Sequence, residues 1–436
     1  MSRLFQLCSI LGACLFLAVP VLAQEVSPEP QVTLTELVQR ALTNHPQLSI
    51  AKQTQNAAQQ RLQAARSFPN PTLELTPRLS GNREASDSEV LLSQPIDLFG
   101  KRRAIANVKE AELRGAVAKS TFAERSLIIQ VKQAAIDLFA TQEAESLGDA
   151  QVEMAQKFHD AAKRRAELGD VPPVQAQRAE LELLRAQNEL ANAASERLAQ
   201  LAVVNQLIGQ TPAMPLRVSL PEISQITDSG KILPKERGQF LTEALKNRPD
   251  LLMAQAELEA RQAEVDVIRK ERLPDFALQA RRGSFFGEEG SYALRAVVTM
   301  PIFDFGSIKN ERRAAESEAR AQQAAIDLLR TQVSTQVEQA LLRLQQQWQN
   351  VRRYRSGIVP QTLDLLRKTQ IGYEQGASSY LEVLEAQRTL RQVQNEYLQA
   401  LAGTLTSETA LENALGTTLP AGMSSLSLSK AEAGNQ

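Results

Sequence analysis

Two glutamates three residues apart, Glu382 and Glu385, are the side chains best placed to do chemistry in this chain. They follow at once on a break between two long helical patterns, Tyr373-Glu374-Gln375-Gly376-Ala377-Ser378-Ser379. A spacing of i,i+3 sets both carboxylates on one face of a helix, one turn from its start. The charge pattern alone favours a blander reading, ordinary solvated glutamates flanking apolar Leu381 and Leu384. Other chemistry is thin. His45 stands beside a proline, and His159 lies mid-helix with no His or Cys at ligand spacing. There is no phosphate loop, no nucleotide fingerprint, and no nucleophile with a base in recognisable context. These absences read as no enzyme, no cofactor and no metal site. The net charge of −1 gives no support for nucleic-acid binding.

The elements that must position the two glutamates are long helices. Aromatic residues make up only 4% of the 436 residues, which disfavours a conventional thick core, while Ala, Gln, Glu, Leu and Arg dominate the middle of the chain. Lys101 to Leu168 contains no proline, and at about 1.5 Å per residue such a run would reach roughly 100 Å. Gly169-Asp170-Val171-Pro172-Pro173 turns the chain, and a second helix returns to about Gly209. Upstream, Thr33 is placed to cap a helix with Glu36 in the box position, and a second helical run reaches about Arg66.

The N-terminus reads as a secretory signal. Arg3 is followed by a mostly apolar run, Pro20, and a small-residue site at Val21-Leu22-Ala23. Cleavage is expected after Ala23, and the rival reading acylates Cys14 in Leu11-Gly12-Ala13-Cys14. Both native cysteines, Cys8 and Cys14, fall in this segment. No later stretch approaches the ~20 apolar residues of a transmembrane helix.

The whole plan occurs twice. Asn44-x-Pro46-x-Leu48 matches Asn247-x-Pro249-x-Leu251, and Pro71 matches Pro274, both at an offset of 203. Pro95-Ile96-x-x-Phe99-Gly100 matches Pro301-Ile302-x-x-Phe305-Gly306 at 206. Gly169 matches Gly376, and Gln187-Asn188-Glu189 matches Gln394-Asn395-Glu396, at 207. Near-constant offsets of this kind mark an internal duplication. The expected divisions are a signal peptide at 1–23, repeats at 24–210 and 239–417, a connector at 211–238 and a tail at 418–436. Each repeat reads helix, strand, strand, long helix, turn, long helix.

The strands are expected at about 72–79, 89–95, 275–281 and 291–300. Tyr292, Leu294, Ala296 and Val298 alternate with Ala293, Arg295 and Thr299, which suits one greasy and one polar face. Four strands cannot close a barrel in lipid, so membrane-spanning strands would require several chains to share one barrel. The alternative is two soluble hairpins capping a coiled coil, as in a periplasmic adaptor or scaffold.

Over nearly all of the chain beyond the leader, the sequence resembles a TolC-type outer-membrane efflux protein. The resemblance is carried by the duplicated layout, the paired Pro-Ile-x-x-Phe-Gly corners, and the tip pattern Tyr373-x-x-Gly376 with Leu381-Glu382-Val383-Leu384-Glu385-Ala386. It implies a mainly α fold with a small β part: a homotrimer with a twelve-stranded β-barrel in outer-membrane lipid, continued by a long periplasmic α-helical barrel. It also implies a periplasmic adaptor and an inner-membrane pump of the RND type as partners. Glu382 and Glu385 would line the narrow periplasmic entrance, six carboxylates in all, favouring cations. Tyr373 matches a latch tyrosine, but Gln175 stands where an acidic partner is expected and Ser378 where a basic one is. A Tyr373–Gln175 hydrogen bond remains open and a charge-assisted latch does not, so a weaker closure is expected. The turns Gly169-Asp170-Val171 and Gly376-Ala377-Ser378 are the expected adaptor contacts. Within the family, the first tip and the Pro95–Arg102 stretch look closest to the cobalt-zinc-cadmium efflux branch.

Overall fold

The computed structural model describes residues 30–76, 89–220, 234–285 and 288–419. The expected signal peptide, Cys14, residues 77–79 of the first strand and the tail beyond residue 419 lie outside the described residues.

The first repeat runs β1 (Gln31–Thr33), α1 (Leu34–Asn44), α2 (Pro46–Arg66), β2 (Thr72–Thr76), β3 (Glu89–Ile96), α3 (Lys101–Glu167) and α4 (Pro173–Leu207). After β4 (Arg217–Ser219) the second runs α5 (Pro234–Asn247), α6 (Pro249–Lys270), β5 (Asp275–Phe285), β6 (Glu288–Thr299), α7 (Ser307–Arg353), α8 (Val359–Glu374) and α9 (Tyr380–Leu415). Thr33 caps α1 by accepting from the Glu36 N–H at 3.3 Å. The Glu36 carboxylate turns instead to Arg40 at 2.5 Å. Of the stretch 211–238, Arg217–Ser219 is a strand rather than plain connector, pairing in parallel with Gln31–Thr33.

Four strands form one antiparallel sheet in the order β2-β3-β5-β6. The register puts Leu73, Leu92, Ala280 and Leu294 side by side on one face. Thr72, Ser93, Gln279 and Arg295 occupy the adjacent row, which a period of two sends to the other face. One face is therefore mainly apolar, interrupted by Gln94 and Arg282, and the other mainly polar, and the outer edges of β2 and β6 have no partner among the described residues.

At the strand-to-helix corners an aspartate replaces the cap that glycine cannot supply. Asp97 accepts from the Lys101 and Arg102 N–H groups at 3.0 and 2.9 Å, and Asp304 from Ile308 at 2.7 Å. Each corner turns through a left-handed glycine, Gly100 at φ 69° and Gly306 at φ 90°.

The α3 helix is unbroken over 67 residues. Its counterpart is not, which departs from the single long helix expected at this place in each repeat. Tyr354–Ile358 form a π-turn between α7 and α8. The cause is Pro360, which has no N–H and whose ring crowds the carbonyl four residues back. Among the described residues no helix is long and apolar enough to cross a membrane.

The main core is a girdle at mid-height of the long helices. Leu37 of α1, Leu127, Ile136 and Leu138 of α3, Val333 and Leu344 of α7, and Leu415 of α9 are all fully buried there. A buried ion pair sits in the same region: Lys132 Nζ meets Glu412 Oε2 at 2.5 Å, with the side chains 1% and 6% exposed. The other Glu412 oxygen accepts from the Leu419 N–H at 3.2 Å. Removing one partner of such a pair leaves a buried charge uncompensated. Lys132→Ala is therefore expected to cost about 3–5 kcal/mol in denaturant unfolding, with Lys132→Met/Glu412→Leu recovering most of the loss.

Candidate functional site

The ends of the two long hairpins are built alike. At the first tip Gly169, at φ 81°, donates to the Ala166 carbonyl at 3.1 Å, and Asp170 donates to Arg165 at 2.9 Å. At the second, Gly376, at φ 75°, donates to Tyr373 at 3.2 Å, and Ala377 donates to Gly372 at 2.7 Å. Both are Schellman closures, in which a left-handed glycine lets the last helical carbonyls find donors. Gly169, Asp170, Gly376 and Ala377 are exposed, and Val171 and Ser378 are half-buried. A Cβ at Gly372 would stand 2.5 Å from the Ser378 hydroxyl, so a larger residue there would require the serine side chain to shift.

The returning helices start differently. Pro172 and Pro173 open α4, whereas Ser379 opens α9 with a full capping box. The Ser379 hydroxyl accepts from the Glu382 N–H at 3.3 Å, and the Glu382 carboxylate accepts from the Ser379 N–H at 3.0 Å. Ser379-x-x-Glu382 is a sequence signature of a helix start, so this first role of Glu382 was open to sequence reasoning. Glu382 and Glu385 are both exposed, while Val383, Leu384 and Ala386 turn inward. Glu385 makes no side-chain hydrogen bond or ion pair among the described residues.

Tyr373 is half-buried. Its ring lies edge-on to Tyr380 at 6.2 Å between centroids, with the Arg165 guanidinium 4.8 Å from its own centroid. The Gln175 Oε1 is buried without a hydrogen-bond partner among the described residues. Among the described residues no hydrogen bond joins Tyr373 to Gln175. Tyr380 and Leu384 instead pack against Ala162 and Ala179, which brings α9 onto the first hairpin.

Charge-assisted bonds do join the hairpins, but at Glu182 of α4, seven residues and about 10 Å along the helix from Gln175. Its carboxylate bonds Arg388 of α9 across the gap and Arg185 of its own helix at 2.8 Å. Arg391 approaches Glu182 at 4.0 Å and binds Glu189 at 3.2 Å. Burial pushes the Glu182 carboxyl up, yet Arg388 and Arg185 outweigh it and hold the group below its ordinary value. Sequence reasoning missed this clamp. Its one local signal is a charge set in the buried stripe Ala179, Glu182, Leu183, Ala186.

Long paired helices end in exposed tips and are carried on a sheet with one mainly apolar and one mainly polar face, the layout expected of an outer-membrane duct. The chain belongs to the outer membrane efflux protein family, whose model matches residues 37–210 and 240–417. Cobalt-zinc-cadmium resistance protein CzcC of Cupriavidus metallidurans is 26% identical over 404 residues, 91% of this chain and 93% of its own. The pyoverdine export outer membrane protein OpmQ of Pseudomonas aeruginosa is 26% identical over 427 residues, 88% of this chain and 85% of its own. Among solved structures, the outer-membrane channel OprN superposes with a TM-score of 0.75 at 20% identity, covering 88% of this chain and 89% of that one. The chain is thus the outer-membrane channel of an efflux system, with its helices extending into the periplasm, and the adaptor or scaffold reading falls away.

Because its carboxyl is held low, the Glu182 clamp is complete at and above the ordinary glutamate value of 4.5 and is lost only as pH falls through the lower value it has in the fold. In hydrogen exchange, Glu182→Gln is expected to speed amide exchange over 179–186 and 384–391 by roughly tenfold or more at neutral pH, the scale of one charged hydrogen bond. The wild type is expected to loosen in the same segments only below the ordinary glutamate range.

Proposed function

We propose that three copies of this chain close one twelve-stranded barrel in the outer membrane, and that the duct passes small solutes or metal cations driven by a pump elsewhere. One observation carries the reading: among the described residues the sheet ends in two unpaired edges while its apolar face is exposed, with Leu73, Leu92, Leu278, Leu294 and Val298 all facing out. Lipid tolerates neither an open edge nor a polar outer face, and water does not favour a face of this kind. Residues 1–23 are removed on export in this reading.

At the far end the exposed face of α9 brings Glu382 and Glu385 of each chain toward the axis. Six carboxylates around a narrow opening concentrate cations and slow anions. Their closure is held by the Glu182–Arg388 clamp together with the Tyr373 and Tyr380 packing, with Gln175 left to accept a bond from a neighbour. The tips at Gly169-Asp170-Val171 and Gly376-Ala377-Ser378 meet the periplasmic adaptor, and an RND-type pump supplies the energy. The chain itself performs no catalysis. The names of CzcC and OpmQ point to metal cations in one relative and pyoverdine in the other, which favours a duct selective by charge and width over one with a resident metal site.

Single-channel recording in planar bilayers tests this with protein extracted from outer membranes. The expected result is discrete, cation-selective conductance whose selectivity collapses in Glu382→Ala/Glu385→Ala. Unchanged selectivity in that variant would remove the two glutamates from the entrance, and absence of any conductance would remove the duct.

A further inference from the structure

Between the rows Asp275↔Thr299 and Arg282↔Tyr292, the apolar face of the sheet carries a single charged side chain, Arg282. It lies in the row Leu75, Val90, Arg282, Tyr292 and so shares a face with Leu73, Leu92, Leu278 and Leu294. The other two arginines of the sheet are on the polar face and are bonded there, Arg281 to Glu89 at 2.7 Å and Arg295 to Gln279 at 2.9 Å. Arg282 meets no carboxylate among the described residues. Its guanidinium carbon stands instead 5.3 Å from the centroid of the Tyr292 ring. A cation held by a ring keeps its N–H donors uncommitted. Tyr292 is itself 77% exposed.

Depth decides what such a charge can meet. The helices leave one end of the sheet for the periplasm, so the hairpin end, where Arg282 and Tyr292 stand, faces the exterior. From the row Asp275↔Thr299 to the row Arg282↔Tyr292 is seven residues. That is about 23 Å of strand, or about 18 Å of depth at a tilt near 40°. At the other end the exposed Met300, Ile302, Phe303 and Phe305 continue the apolar surface. Together they reach roughly the 25 Å height of an outer-membrane apolar band. Arg282 therefore stands at the outer rim of the band. A lipid-facing arginine is costly at mid-bilayer and tolerated at the rim, where its long stem lets the charge reach headgroups. A tyrosine ring is favoured at the same level.

We infer that Arg282 and Tyr292 form a binding site for the phosphate of an outer-leaflet phosphorylated glycolipid, of the lipid A class. The guanidinium fork matches two phosphate oxygens, and the Tyr292 ring steadies it. Exposed Val90, Leu92 and Leu294 beside the pair receive the first acyl methylenes. The site rests on the shared-barrel reading above, which puts the apolar face in lipid, and adds a ligand to it. By the offset of 203 the first repeat has Leu79, outside the described residues, where the second has Arg282, so the site occurs once per chain.

Lipid titration tests it. The full-length protein, extracted from outer membranes and stripped of lipid in detergent, receives lipid A, dephosphorylated lipid A or phosphatidylglycerol, and binding is read by native mass spectrometry. Wild type is expected to bind lipid A about tenfold or more tightly than its dephosphorylated form, the scale of a charge-assisted bond. Arg282→Gln should lose that margin and bind the dephosphorylated form as before. Arg282→Lys, a point charge without the fork, should recover part of it. Tyr292→Leu, weakening lipid A by a smaller factor, keeps the test available where Arg282→Gln fails to assemble. Light scattering of the same particles gives the chain number. Equal lipid A binding by wild type and Arg282→Gln in a three-chain particle would overturn the site while leaving the barrel in place. Phosphatidylglycerol bound as tightly as lipid A would overturn the assignment to the outer leaflet. A single-chain particle would overturn the shared barrel and the site with it.

Discussion

A strand in lipid cannot leave its backbone N–H and C=O groups unpaired, since nothing in the hydrocarbon can replace a lost hydrogen bond. Much of this chain answers to that constraint. The sheet has four strands, edges unpaired among the described residues and one mainly apolar face, and in the proposed barrel further copies complete it. Duplication supplies the geometry economically. One chain already contains a complete junction between repeats, β3 against β5.

Below the membrane the constraint changes. The helices stand in water, where each makes its own backbone bonds and the difficulty is holding very long rods in register. Three devices do this at different heights. The girdle around Leu37, Ile136 and Leu344 fixes the middle, with β1 and β4 strapped across it. Lys132 and Glu412 lock α3 to α9 within that girdle. Near the tips the apolar contact shrinks to Tyr380 and Leu384 against two alanines, and the Glu182 clamp takes over. A thin apolar contact backed by charged bonds leaves few buried groups to expose if this end opens, as the proposed entrance requires.

Much of this was legible in the sequence because the duplication doubled each signal. The corner glycines, the tip glycines and the four strand positions could be read twice, and Gly209 and Gly416 close the returning helices as a third matched pair. What escaped reading had either no local pattern or an unequal copy. Lys132 and Glu412 lie 280 positions apart, and Arg388 lies 206 from Glu182, so no spacing rule links them. β1 and β4 are three residues each, too short for alternation to register. The π-turn was a missed signal, since Pro360 stands where the first repeat has no proline. At the tip no hydrogen bond joins Tyr373 to Gln175 among the described residues, and the charge that joins the hairpins sits two turns farther on, at Glu182.

The most direct test of the shared barrel is amide hydrogen exchange on the protein in lipid nanodiscs, read strand by strand. If three chains close one barrel, β2 and β6 are as well protected as β3 and β5, because every edge has found a partner. Exchange within seconds along β2 and β6, beside protected β3 and β5, would mean open edges in contact with water, and the closed barrel would be wrong.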